Sequence, residues 1–162
     1  MPYTIPRIDC PGSYVLITAA SSYLLSNWLG ARIAPFRRAA TVDHPNAFAS
    51  VETIANASSA EEKRVLYLFN CAQRAHYNFL ENYPAALTGM LISGLRYPIF
   101  AAAAGALWIF GRILYATGYT STSENNVNGS GRWAYGGFRL SAITQVGFLV
   151  LVGKIGVDLL RA

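Results

Sequence analysis

FNCAQRAHYNFLENYP, residues 69–84, sets an arginine, an asparagine and a glutamate into a segment that otherwise reads as a membrane helix. Arg74, Asn78 and Glu81 fall at i, i+4 and i+7, so at about 3.6 residues per turn they share one helical face. Asn70 is expected to extend that face one turn earlier. Ionisable residues at membrane depth are costly, and they pair with one another or line a cavity. The plainer alternative is an internal Arg74–Glu81 ion pair that only holds a helix bundle together.

Outward from this segment, the chain of 162 residues is 53% hydrophobic and 13% charged, with a positive mean hydropathy. That composition is too apolar for an ordinary soluble domain and predicts one small all-α, integral membrane four-helix domain. Residues 14–31 run without a charge and are expected to be the clearest span. At about 1.5 Å per residue they nearly cross a hydrocarbon core of about 30 Å. Further spans are expected over residues 66–95, 98–119 and 133–160, each interrupted by a few charges. A soluble bundle is the competing assignment, but residues 101–110 are apolar on every side, where a soluble helix would show a polar stripe. Residues 1–12 hold one Arg, one Asp and three prolines, which does not suit a cleavable signal peptide.

The connections follow from composition. Residues 32–64, with Pro35, Pro45 and the pair Glu61 and Glu62, read as a long polar loop, with the second helix starting near Ser59 or Ala60. Residues 95–98 make a tight turn. Residues 120–132, rich in Ser, Asn and Gly, read as a flexible hydrophilic loop that does not pack. The first and third loops hold Arg32, Arg37, Arg38, Lys63, Arg64, Arg132 and Arg139, whereas the N-terminal, second-turn and C-terminal segments hold Arg7, Arg96, Lys154 and Arg161. That bias places the first and third loops in the cytoplasm. The sequons at Asn56 and Asn128 would then stay unglycosylated. The net charge of +5 is read as a face beside anionic lipid and not as nucleic-acid binding. Cys10 and Cys71, His44 and His76 have no metal-ligand spacing, so no metal is expected.

The third span carries a second aligned set, Arg112, Tyr115 and Tyr119. Tyr119 at a helix end also fits a simple interfacial anchor. Arg132 and Arg139 flank the start of the fourth helix and either snorkel or point into the mouth of the bundle. A ligand with two carboxylates and one ammonium suits Arg74, Arg132, Glu81 and Asn78; glutathione is one such ligand among amino acids and peptides. A neighbouring guanidinium would favour its reactive thiolate.

The run at residues 69–84, with Phe-Asn-Cys, Gln-Arg-Ala-His, Asn, Glu and Tyr-Pro in order, resembles the second helix of the membrane-associated proteins in eicosanoid and glutathione metabolism, the MAPEG family. The likeness is greatest to its microsomal glutathione transferase type 3 branch. LWIFGRILYATGY, residues 107–119, resembles that branch's third helix. The resemblance implies a homotrimer of four-helix subunits in the endoplasmic reticulum membrane, with glutathione as co-substrate bound between subunits near the cytoplasmic side. It implies glutathione contacts from Arg74, Asn78, Glu81, Tyr115 and Tyr119, and also from His76, for which a surface role is equally open, and from Arg32 of an adjacent subunit. Arg132, in GRWAYGG, resembles the arginine that stabilises the thiolate, with Arg139 as the fallback because the preceding loop is longer here.

Leukotriene-forming relatives carry a second basic residue after the position of Arg32 and a tyrosine at the position of Asn82. Ile33 and Asn82 depart from both, and Arg37 or Arg38 would substitute only with a different loop spacing. The implied activity is therefore glutathione conjugation to a lipophilic electrophile, reduction of a lipid hydroperoxide, or both. The rival is a non-catalytic, lipid-presenting accessory protein of the same family, against which Arg74 argues.

Overall fold

A computed structural model describes residues 10–161, with residue 10 described by its backbone alone. The expectations for Arg7 and the Cys10 side chain, and most of the segment judged against a signal peptide, lie outside the described residues. The chain forms α1 (Cys10–Ala40), a short α2 (Val51–Ala55), α3 (Ala60–Gly94), α4 (Pro98–Tyr119), a 3-10 turn (Ser130–Trp133) and α5 (Gly137–Leu160). α1, α3, α4 and α5 make an all-α bundle.

Local chemistry accounts for most boundaries. Ser59 caps α3, its hydroxyl accepting from the Glu62 amide at 3.1 Å. The Glu62 carboxylate accepts from the Ser58 amide and hydroxyl, both at 2.7 Å, closing the reciprocal cap. Pro98 opens α4, where its missing N–H costs nothing. The expected loop at residues 32–64 is corrected: α1 continues to Ala40 through Arg32, Pro35, Arg37 and Arg38. Proline inside a helix loses a hydrogen bond. Here Ile33 and Phe36 pack against Ala49, Leu66 and Phe69, and that burial holds the extension. Arg37 then donates to the carbonyls of Val42 at 3.1 Å and Asn46 at 2.8 Å, turning the chain back.

Length sets the frame for the site. At about 1.5 Å per residue, α4 with 22 residues spans about 33 Å, close to a hydrocarbon core, whereas α1 with 31 and α3 with 35 are longer by many ångströms. The C-terminal end of α1 and the N-terminal end of α3 therefore project past Tyr119 on one side. α4 and α5 are long and apolar enough to cross a membrane. Residues 14–31, expected to be the clearest span, do not pass that test: they lack charge, but Ser21, Ser22, Ser26 and Asn27 dilute them. The outward faces are apolar on α1 (Ile17, Leu24), α4 (Ile99, Phe100) and α5 (Leu149, Val150).

Toward the projecting end the core is aromatic, with Phe79, Trp108, Tyr115 and Tyr119; toward the other end it is built from Val15, Met90, Ala101 and Phe148. α4 and α5 approach closely at Gly111, where a Cβ would lie 2.6 Å from the Ser141 hydroxyl and 3.0 Å from the Gly137 carbonyl oxygen. Small residues at a crossing allow such backbone contact in membrane bundles. Residues 120–132 are also corrected, from an unpacked loop to a folded one: Asn126 is buried and Arg64 reaches into the loop.

Candidate functional site

Arg74 and Glu81 meet fork to fork on α3, Nη1 to Oε1 at 2.8 Å and Nη2 to Oε2 at 3.3 Å. Asn78 lies between them and donates from Nδ2 to Glu81 Oε2 at 3.4 Å. Its other end is fixed from α4, where Arg112 Nη2 donates to Asn78 Oδ1 at 2.7 Å. Arg112 is buried at 3% exposure, its guanidinium 5.8 Å from the Trp108 ring centroid and 4.8 Å from that of Tyr115. The order Arg112, Asn78, Glu81, Arg74 is thus a continuous polar chain from the core to the surface.

The surface end is open. The Arg74 and Glu81 side chains retain 48% and 51% exposure. The plainer alternative from sequence is right that they pair, but a pair that pins a bundle would be enclosed by it. Arg112 sits two turns below Tyr119, so Asn78 lies about 10 Å beneath the end of α4. Charges open to hydrocarbon at that depth are costly, and their open side fits water, a ligand or another protein surface.

Tyr115 and Tyr119 are both buried, edge to face with centroids 5.5 Å apart. Arg132 lies in the 3-10 turn that packs over the last turn of α4: a Cβ on Gly118 would lie 2.5 Å from the Gly131 carbonyl oxygen. Its guanidinium stands 5.2 Å from the Trp133 ring, Trp133 contacts Phe138 with centroids 4.5 Å apart, and Phe138 leads to Tyr115 at 6.3 Å. Arg132 Nε is buried without a hydrogen-bond partner among the described residues. Arg139, the fallback, is exposed in the first turn of α5.

Arg32 and His76 lie elsewhere. Arg32 donates from Nη1 to the Ala116 carbonyl at 3.1 Å and from Nη2 to Thr120 Oγ1 at 2.6 Å, a cation at the C-terminal end of α4. His76, about 200° around α3 from Arg74, faces α1: a Cβ on Gly30 would lie 3.7 Å from its Nε2. Neither joins the Arg74 set within one chain. Asn70, expected on the polar face, is corrected: it exchanges two hydrogen bonds with the Ala49 backbone, at 2.8 and 3.0 Å. Gln73 likewise donates to the Ala47 carbonyl. Arg37 is held by loop carbonyls, so it does not supply the basic residue missing at Ile33. Among the described residues no three His, Cys, Asp or Glu side chains gather as a metal site.

Three residues of this region have no part in the site in the sequence reading. Arg64, Tyr67 and Asn126, the last of them buried, form a junction between α3 and residues 120–132. Tyr67 precedes Arg74 by seven residues, and that spacing was the available signal, since it places the tyrosine on the same stripe.

Four long helices with apolar outer faces and a graded polar chain toward one end are the build of a small multi-pass membrane protein. The chain matches the sequence model of the MAPEG family over residues 15–154, and it belongs to that family, whose fold is a membrane four-helix bundle. The family includes glutathione transferases and peroxidases. The chain is also 40% identical, over 62 residues, to an uncharacterized protein of the cyanobacterium Synechocystis sp.. That match covers 38% of this chain and 45% of the relative, so the chain spans under half of the relative's length.

Proposed function

We propose that this protein is a membrane-bound glutathione transferase that conjugates glutathione to lipophilic electrophiles, reduces lipid hydroperoxides with it, or does both. The observation that carries the reading is the polar chain from buried Arg112 through Asn78 to the half-exposed Arg74 and Glu81, in a member of a family that includes glutathione enzymes. Its chemistry fits the ligand. Arg74 would take a carboxylate and Glu81 the ammonium, exchanging their mutual pair for ligand charges. Exposed ion pairs are worth under about 1 kcal/mol, so the exchange is easy. Asn78, with its amide oxygen held by Arg112, presents its N–H donors outward.

Arg132 is the thiolate-stabilising residue in this reading. Its guanidinium favours the charged sulfur, while the thiol proton passes to water. In conjugation the sulfur forms a bond to an electrophilic carbon, and the leaving group departs with that carbon's electron pair. With a hydroperoxide the sulfur attacks the terminal oxygen, the O–O bond breaks, and the alkoxide leaves and takes a proton from water to become the alcohol. A second glutathione then converts the sulfenic species to glutathione disulfide and water. An apolar groove of about 710 Å³ between α3 and α5 begins at Pro84, one turn beyond Glu81, and runs along Thr88, Ile92, Val146 and Leu149. It suits a lipophilic co-substrate arriving from the bilayer.

Arg32 and His76 lie on the α1 side of the subunit, so in a homotrimer they would complete a neighbour's glutathione site, and the open flank of Arg74 and Glu81 would be closed by that neighbour. The site belongs on the cytoplasmic side of the membrane. The endoplasmic reticulum draws no support from a cyanobacterial relative.

Calorimetry of glutathione binding to detergent-solubilised protein, beside Arg74→Ala and with thiolate absorbance in parallel, tests the function. Micromolar to millimolar binding that Arg74→Ala abolishes, with thiolate at neutral pH, is the expected result. Absence of binding to the intact protein would leave the lipid-presenting accessory role ahead.

A further inference from the structure

Residues 120–132 have the composition of an idle linker, yet they hold the most saturated side chain of the described structure. Asn126, 2% exposed, uses all of its amide capacity: Nδ2 donates to the carbonyls of Tyr119 at 3.0 Å and Ser121 at 2.8 Å. Its Oδ1 accepts from the Gly131 amide at 3.0 Å and the Tyr67 hydroxyl at 3.2 Å. The Tyr67 hydroxyl in turn accepts from the Gly129 amide at 2.8 Å. Arg64 closes the junction, donating to the carbonyls of Asn126 at 2.6 Å, Ser123 at 2.7 Å and Ser121 at 3.2 Å. Two of these bonds hold the Gly129 and Gly131 amides beside Arg132, the others hold residues 119–126, and none reaches the Arg132 side chain.

We propose that Arg64, Tyr67 and Asn126 are positioning residues that fix the Arg132 guanidinium over the glutathione sulfur. This rests on the reading of Arg132 as the thiolate-stabilising group. Two observations carry it. The junction pins Gly129 and Gly131, the residues that set the direction of the 3-10 turn bearing Arg132, and Gly129 turns the chain at a φ of 74°. The Gly129 pin comes from Tyr67 of α3, on the stripe that continues to Arg74 and Glu81, and the Gly131 pin from Asn126, which Tyr67 and Arg64 of α3 hold in turn. A single rigid helix therefore sets both the carboxylate-binding arginine and the sulfur-facing one, and the distance between them does not depend on a thirteen-residue loop holding itself still. Electrostatic stabilisation of a developing or resting anion falls steeply with misplacement, so such a reference is worth having. A loop that was merely tethered for stability would have no reason to couple to the sulfur.

The test uses the full chain in detergent or nanodiscs, with glutathione and an aryl halide electrophile as probes. Tyr67→Phe keeps the ring and removes the hydroxyl; Asn126→Ala removes the hub. Each is expected to lower kcat by roughly tenfold, less than the hundredfold or more typical for loss of a stabilising donor itself. KM for glutathione should stay within about twofold, and the pH profile of bound thiolate should move toward that of the free thiol. In an Arg132→Ala background the same substitutions should cost nothing further, because their effect passes through Arg132.

An unchanged thiolate profile in Tyr67→Phe and Asn126→Ala would overturn the proposal, as would an equal loss of rate with and without Arg132. If the intact protein binds glutathione but Arg132→Ala keeps the thiolate, the positioning role falls while glutathione chemistry stands. If the intact protein binds none, the function falls first and takes the positioning role with it.

Discussion

Two successive stretches of α3 carry polar side chains of similar type, and they behave differently. On one, Asn70 and Gln73 are joined to backbone groups of residues 47–49, which they hold against the bundle. On the other, Arg74, Asn78 and Glu81 bond to one another and to Arg112, and the two charged members keep about half of their surface. Side chains matched to backbone groups are tethers, since the backbone cannot leave. Side chains matched to each other and left open exchange partners when a ligand of the right charge arrives. The distinction lies in the partner and not in the polarity of the residue.

The comparison breaks most visibly at Arg74. Arg74→Ala should weaken glutathione binding by about a hundredfold or more, the scale of a lost charge-assisted pair at about 3 kcal/mol, while the melting temperature in detergent changes little. A large loss of stability with binding intact would make this face structural after all. Arg112→Met comes next. It leaves Asn78 Oδ1 without its donor, so binding should weaken by about tenfold, and thermal stability should fall as well because a buried guanidinium stacked on Trp108 and Tyr115 is lost. Calorimetry and melting on the same preparation separate the two effects.

Asn70→Ala should show the reverse pattern. It strands the Ala49 amide and carbonyl and should cost about 1–3 kcal/mol of stability, read as a lower melting temperature, with glutathione affinity within twofold. Weakened binding there would join the two stretches into one functional unit. The smallest effect is expected outside the membrane, at the α3 cap. Hydrogen bonds from the Ser58 hydroxyl and then the Ser58 amide hold the Glu62 carboxyl below its ordinary range. A carboxyl that is more acidic folded than unfolded stabilises the fold above its unfolded titration, and loses that contribution as pH falls through its folded value. Glu62→Gln should therefore melt slightly below the parent protein at neutral pH, with the difference closing below about pH 4.

The polar stripe of Arg74, Asn78 and Glu81 was legible because helical periodicity is a local property, fixed by spacing within one segment. The start of α3 at Ala60 was legible for the same reason: Ser59 and Glu62 cap it within four residues. Asn70 was assigned to the polar face by that spacing, and the structure places it on a tether, since it falls at the edge of the stripe and the neighbouring Ala49 decides its use. α1 outran its expected end because Pro35 and the nearby arginines read as loop signals, whereas burial of Ile33 and Phe36 against Phe69 holds the helix together. Residues 120–132 were read as idle because Ser, Asn and Gly pack poorly on their own. Their order comes from Arg64 and Tyr67, nearly sixty residues away.

Four long helices and most of the residues that share a face are readable from composition and spacing, because they follow from contacts within a few positions along the chain. Helix packing is what makes Arg112 orient Asn78, Arg32 close the end of α4 instead of joining Arg74, and Asn126 a buried hub. Those outcomes depend on which groups meet once helices pack, and a buried polar atom takes the partner that the neighbouring helix brings within reach.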